Sequence, residues 1–206
     1  RRPIYRRDCN MADEIVSAVL AKIAEASGLE RSHAQVPVEL LTTASESAFR
    51  HYILGKQCMS QQRITDARRE FEKAISEDEG FALAYFQMAR VYFGGVTLAP
   101  NIAKPREYTA AAWKNEDRLG SKEKFLLEAF QLGLDYEVTL EMDRLREGMK
   151  LWPDDKEMLR HYQYRAYWWW YFKDIVEIAG SALELYPDDH KLQGPNLVQA
   201  LINLRM

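Results

Sequence analysis

Two pairs of adjacent carboxylates, Asp154-Asp155 and Asp188-Asp189, are the first residues to suggest chemistry, because acid and base work needs two carboxyl groups held close in different protonation states. Each pair follows a proline in the same context, Leu151-Trp152-Pro153-Asp154-Asp155 and Leu185-Tyr186-Pro187-Asp188-Asp189. Proline stops a helix and aspartate caps the next one, so a turn and a cap account for both pairs. The histidines His33, His51, His161 and His190 are scattered at spacings that suit no metal site, and Cys9 and Cys58 form no Cys-x-x-Cys. No phosphate-cradling glycine loop, His-Glu-x-x-His or nucleophile elbow occurs. The chain is expected to be no enzyme, with no catalytic residues, cofactor or metal. Its most unusual chemistry is Trp168-Trp169-Trp170-Tyr171-Phe172. Consecutive residues point in different directions around a helix axis, so one or two of these aromatics are exposed or covered by a neighbour. Desolvated aromatics dominate interface energetics.

The 206 residues are 47% hydrophobic and 29% charged, enough apolar content for a sizeable core and without the bias of a disordered chain. A net charge of −3 and a pI near 5.9 supply no basic stripe to neutralise phosphates, so nucleic acid is not expected as a partner. No apolar run reaches the ~18 residues that cross a bilayer, and no leader pattern opens the chain. Two free thiols suit a reducing compartment, and a cytoplasmic location is expected. The chain opens Arg1-Arg2-Pro3 rather than on Met, and is expected to continue a longer polypeptide with a domain upstream.

The elements that must position any site are helical. Ile15, Val19 and Ile23, flanked by Val16, Leu20 and Ala24, form an amphipathic helix closed at Gly28, and residues 28–41 with Pro37 read as a connector. Thr43-Ala44-Ser45-Glu46 has the capping-box form and predicts a helix starting near Ala44. From Ala48 to Tyr92 a ladder of small and aromatic residues runs at helical spacing through Gly55, Ala67, Phe71, Ala74, Phe81, Tyr85, Ala89 and Tyr92. It predicts a helical hairpin that must stack on further copies to bury its apolar face. Gly94-Gly95, Pro100 and Pro105 punctuate a loop of about ten residues, followed by a helix over Arg106–Leu119. Gly120-Ser121 restarts a helix from Lys122 to about Gly133. Asp135-Tyr136-Glu137 is a turn, and Leu140, Leu145 and Met149 belong to the next helix. Counted from that turn, Pro153 falls two residues late, so this helix reads as longer, or its turn as tighter, and the unit as shifted. Lys191–Leu204 is expected to form a final capping helix. The organisation is thus a tail, helix and connector over 1–42 and an array of about four helix pairs over 43–206.

Leu54-Gly55, Ala67, Phe71 and Ala74, with the 34-residue step from Pro153 to Pro187, resemble the tetratricopeptide repeat family. Cys58 and Glu79 depart from its pattern, at an aromatic and a proline position. The resemblance implies an all-α, right-handed superhelix of stacked antiparallel helix pairs whose A helices line a concave groove. Carried onto this chain, the groove comprises Phe49, Tyr52, Lys56 and Met59 from the first repeat, Leu83, Phe86, Arg90 and Phe93 from the second, and Arg160, Tyr164, Tyr167 and Trp168 from the last. Such an aromatic lining with basic punctuation suits an extended peptide or a partner helix. Tyr52, Lys56 and Gln87 stand where co-chaperones of the family place the lysine and asparagines of a carboxylate clamp, so binding of chaperone tails is disfavoured. More loosely, the order of an Asp13-Glu14-Ile15-Val16 helix, a Leu41-Thr42-Thr43 linker and a first repeat resembles the repeat region of bacterial multidomain regulatory proteins. The function implied is a protein-interaction scaffold for a protein or peptide. The alternative is a regulatory or sensing module that controls an enzymatic or signalling domain absent from this chain, a domain of the same polypeptide included.

Overall fold

The computed structural model of the chain describes residues 42–94, 102–187 and Asn203. Among the described residues there are eight α-helices and no strand: α1 Glu46–Ser60, α2 Ile64–Glu77, α3 Ala82–Gly94, α4 Ala103–Lys114, a short 3-10 turn Glu116–Arg118, α5 Ser121–Leu134, α6 Val138–Leu151, α7 Lys156–Trp168 and α8 Phe172–Leu185. None of the described helices is long and apolar enough to cross a membrane. The chain divides into two compact units, Arg1–Lys124 and Phe125–Met206. The expected N-terminal helix and connector, most of the 94–105 loop, the Asp188-Asp189 pair and the final helix apart from Asn203 lie outside the described residues.

In the first unit α1 packs on α2, α2 on α3, and α3 on α4. The α1–α2 approach is set by Gly55, because a Cβ there would fall 2.5 Å from Phe71 Cε1. Ala67, Phe71, Ala74, Phe81 and Ala89 are all buried around that contact. The helix does not begin with the expected capping box. The Thr43 hydroxyl donates to Asp78 Oδ2 at 2.6 Å, and Ser45 caps α1 instead by accepting from the Ala48 amide. Asp78 draws Thr43 away because it gathers the α2–α3 turn. Burial pushes its carboxyl up, but Thr43, the Gly80 amide and Arg118 at 2.9 Å outweigh that and hold it below the ordinary carboxylate range. Pro105, expected in the loop, lies buried in the first turn of α4, where a missing amide hydrogen breaks no intrahelical bond. The helix therefore starts before Arg106 and gives way to the 3-10 turn at Glu116.

The second unit repeats itself. Helix α6 begins at Val138 and ends at Leu151, and α8 begins at Phe172 and ends at Leu185, each offset by 34. Helices α2, α6 and α8 have the same length and follow turns of the same length, so within this chain the helix before Pro153 is not longer and its turn is not tighter than its counterparts. Within the unit α6 packs on α7 and α7 on α8. Asp155 caps α7 by accepting from the Met158 amide at 2.8 Å, so this carboxylate is held by a helix end.

Three helix pairs close with the same turn. The amides of Arg63, Glu137 and Tyr171 each donate to the carbonyl five residues back, on Cys58, Leu132 and Ala166, at 2.9, 3.0 and 2.9 Å. The residue before each, Gln62, Tyr136 and Trp170, has φ of 60°, 62° and 65°. This is the Schellman arrangement, whose left-handed position normally carries glycine. No side chain caps the helix that follows in any of the three, and the backbone bonds are what the three turns share. A left-handed non-glycine residue costs about 1–2 kcal/mol, and Tyr136 is exposed at its tip. Tyr136→Gly is expected to raise stability by about 1 kcal/mol, read as a higher denaturant midpoint at unchanged slope. An unchanged or lower midpoint would contradict the strained turn.

Candidate functional site

The residues expected to line one groove meet two fates. Phe49, Tyr52, Leu83 and Phe86 are buried in the first unit's core rather than lining an exposed groove. The physical reason is the close approach at Gly55. It brings the Tyr52 ring within 6.0 Å of Phe71 and 5.1 Å of Phe81, where it fills the space between helices. Lys56 and Arg90, one helical turn on, extend over the faces of the Tyr52 and Phe86 rings at 5.4 and 5.7 Å. With the half-buried Met59 and Phe93 they belong to the margin of that core.

The four residues from the last pair are exposed. Arg160, Tyr164, Tyr167 and Trp168 sit at i, i+4, i+7 and i+8 of α7 and so share one face. Tyr164 is 38% exposed, Tyr167 39% and Trp168 47%. The Tyr164 and Trp168 rings meet edge to face at 6.0 Å, a geometry that holds both in place. Behind this face Met158, Leu159, Tyr162 and Ala166 are buried. Burial pushes the Tyr162 hydroxyl above its ordinary range, and nearby Asp174, held by Arg146 at 2.7 Å, pushes it further. The contrast with α5 is direct. Stepping back 34 residues from Arg160, Tyr164, Tyr167 and Trp168 gives Leu126, Phe130, Gly133 and Leu134, all buried. One face, in two copies 34 residues apart, is covered on α5 and open on α7.

The aromatic run ends this face. Trp169 turns inward, its indole Nε1 donating to Glu141 Oε2 at 2.6 Å, while Trp170 on the left-handed position is 74% exposed. The Trp170 and Phe172 rings pack edge to face at 5.8 Å, and Arg146 lies over the Tyr171 ring. Glu141 is fully buried and also accepts from Arg165 Nε and from Arg165 Nη2 at 2.7 Å. Gly133 makes room for this pair, because a Cβ there would fall 2.6 Å from Glu141 Oε2 and closer still to Arg165 Nη2. Residue reading missed the cluster, since Glu141 and Arg165 look like surface charges on separate helices. The signal was the register. Glu141 is the fourth residue of its helix, as are Ala67 in α2 and Ile175 in α8, both apolar and buried. Among the described residues no three His, Cys, Asp or Glu side chains gather where they would hold a metal ion.

A buried carboxylate without its counter-charge is costly, whereas an apolar replacement of the whole pair is often tolerated. Arg165→Met alone is expected to cost about 3–5 kcal/mol, and Glu141→Ile with Arg165→Met to recover most of that loss, as read by denaturant unfolding. Additive losses would show that the two side chains do not act as a pair. No family model, no curated protein and no solved structure matches the chain.

Proposed function

We propose that the chain is a non-catalytic protein-interaction module that holds a segment of a partner protein on the open face of α7, through Tyr164, Tyr167 and Trp168 with Trp170 at its end. The observation that carries this reading is the exposure of three large aromatics on a face whose copy 34 residues earlier is buried. Scattered exposed apolar residues need no explanation, but aromatics gathered on one helix face do. Tyr and Trp are also the side chains that most often carry interface energy, since each gives a large contact area for two rotatable bonds. The resemblance of the first helix pair to tetratricopeptide repeats supports the same reading, because stacked helix pairs of that kind present helix faces to peptides and to partner helices. Net charge supports a protein partner over nucleic acid.

Display selection of peptides against the whole chain tests the proposal. Tyr164→Ala with Trp168→Ala is expected to weaken the selected peptides at least about tenfold, the scale of a binding hot spot. Leu151→Ala, at an exposed residue of α6, is expected to leave them unchanged. Peptides that bind the aromatic variant as tightly as the parent would place recognition elsewhere.

A further inference from the structure

We propose that Glu141 is a positioning residue for the recognition surface: by anchoring the Trp169 indole it fixes the turn that presents Trp168 and Trp170 on either side. This rests on the reading of α7 as the binding face. Three observations lead to it. First, the fold does not need a charge at this place. The equivalent residues of the two other helix pairs that share this turn, Ala67 and Ile175, are apolar and equally buried. Second, the anchor is peculiar to this turn. The residues that correspond to Trp169 in the other two Schellman turns are Gln61 and Asp135, and both are exposed. Only here does the helix-terminating side chain reach inward, where Glu141 accepts its indole hydrogen at 2.6 Å and the Arg165 guanidinium lies over its ring at 5.2 Å.

Third, the anchor decides the direction of its neighbours. Trp168, Trp169 and Trp170 are consecutive, so fixing the middle ring inward sends the flanking two away from the core, as their exposure shows. The left-handed backbone at Trp170 is the strained part of this arrangement, and strain of this kind persists where the surroundings over-determine it. Arg165 holds Glu141 in place in turn, with its own Nε and Nη2 on the two carboxylate oxygens, while Gly133 leaves the space the pair occupies. The chain thus spends a buried ion pair on the geometry of one turn, a use of buried polar groups for specificity rather than stability.

Amide hydrogen exchange by NMR on the full chain tests the assignment without any ligand. Two variants are compared with the parent: Trp169→Phe, which removes the indole donor and keeps a ring, and Glu141→Ile with Arg165→Met, which fills the site with apolar groups. In each, exchange of the Trp170 and Tyr171 amides is expected to rise about tenfold or more, while the Gln62 and Arg63 amides of the equivalent turn between α1 and α2 stay within about twofold of the parent. Exchange that rises equally in both turns would make the cluster a general packing element, and exchange that rises in neither would remove its role; either result overturns the proposal. A selected peptide that binds Trp169→Phe as tightly as the parent, with the turn loosened, would overturn positioning while leaving the α7 face as the binding surface. Loss of peptide affinity alongside selective loosening is the expected result.

Discussion

A helix pair has more apolar surface than its two members can bury on each other, and this constraint organises the chain. In the first unit the surplus is absorbed by succession, each helix packing on the next. Gly55 lets Phe71 approach, and Tyr52 is drawn between Phe71 and Phe81. Where a face is covered, the residues on it are Leu126, Phe130 and Leu134. Where the same face is exposed, they are Arg160, Tyr164 and Trp168, side chains that combine an apolar body with a polar or charged tip. At constant register, residue type changes with exposure.

Repetition makes the exceptions readable. Three turns share their backbone bonds and their left-handed residue, so what differs among them reflects the side chains each has been given. At the last turn a fully buried glutamate, standing where α2 and α8 carry an apolar residue, holds an arginine and an indole. A buried pair of this kind contributes little net stability compared with apolar packing, but it has a direction, and direction is what a surface made of large rings requires.

Much of this architecture was legible in the residues. Gly55, Phe71 and the alanines around them announce close helix packing because only small side chains permit it, and Asp155 announces a helix start because its neighbour Pro153 announces a stop. The period of 34 was visible in the recurring Pro-Asp-Asp. The burial of Phe49, Tyr52, Leu83 and Phe86 was not legible, since Tyr52 and Trp168 are both large aromatics on the first helix of a pair, and only their neighbours in space decide which one meets water. Pro105 read as loop because its place in the chain was known before its place in the helix. The left-handed turns carry Gln62, Tyr136 and Trp170 where glycine would have marked them, and the Glu141–Arg165 pair joins residues 24 apart that each resemble ordinary surface charges.

Oxidative footprinting of the full chain, read residue by residue, distinguishes an exposed α7 face with an anchored end from a covered one. Comparison within a residue type removes differences of intrinsic reactivity. Trp168 and Trp170 are expected to be modified rapidly and Trp169 slowly, and Tyr164 and Tyr167 rapidly beside a protected Tyr162 on the same helix. Equal modification of the three tryptophans, or protection of Tyr164 and Tyr167 to the level of Tyr162, would contradict the account.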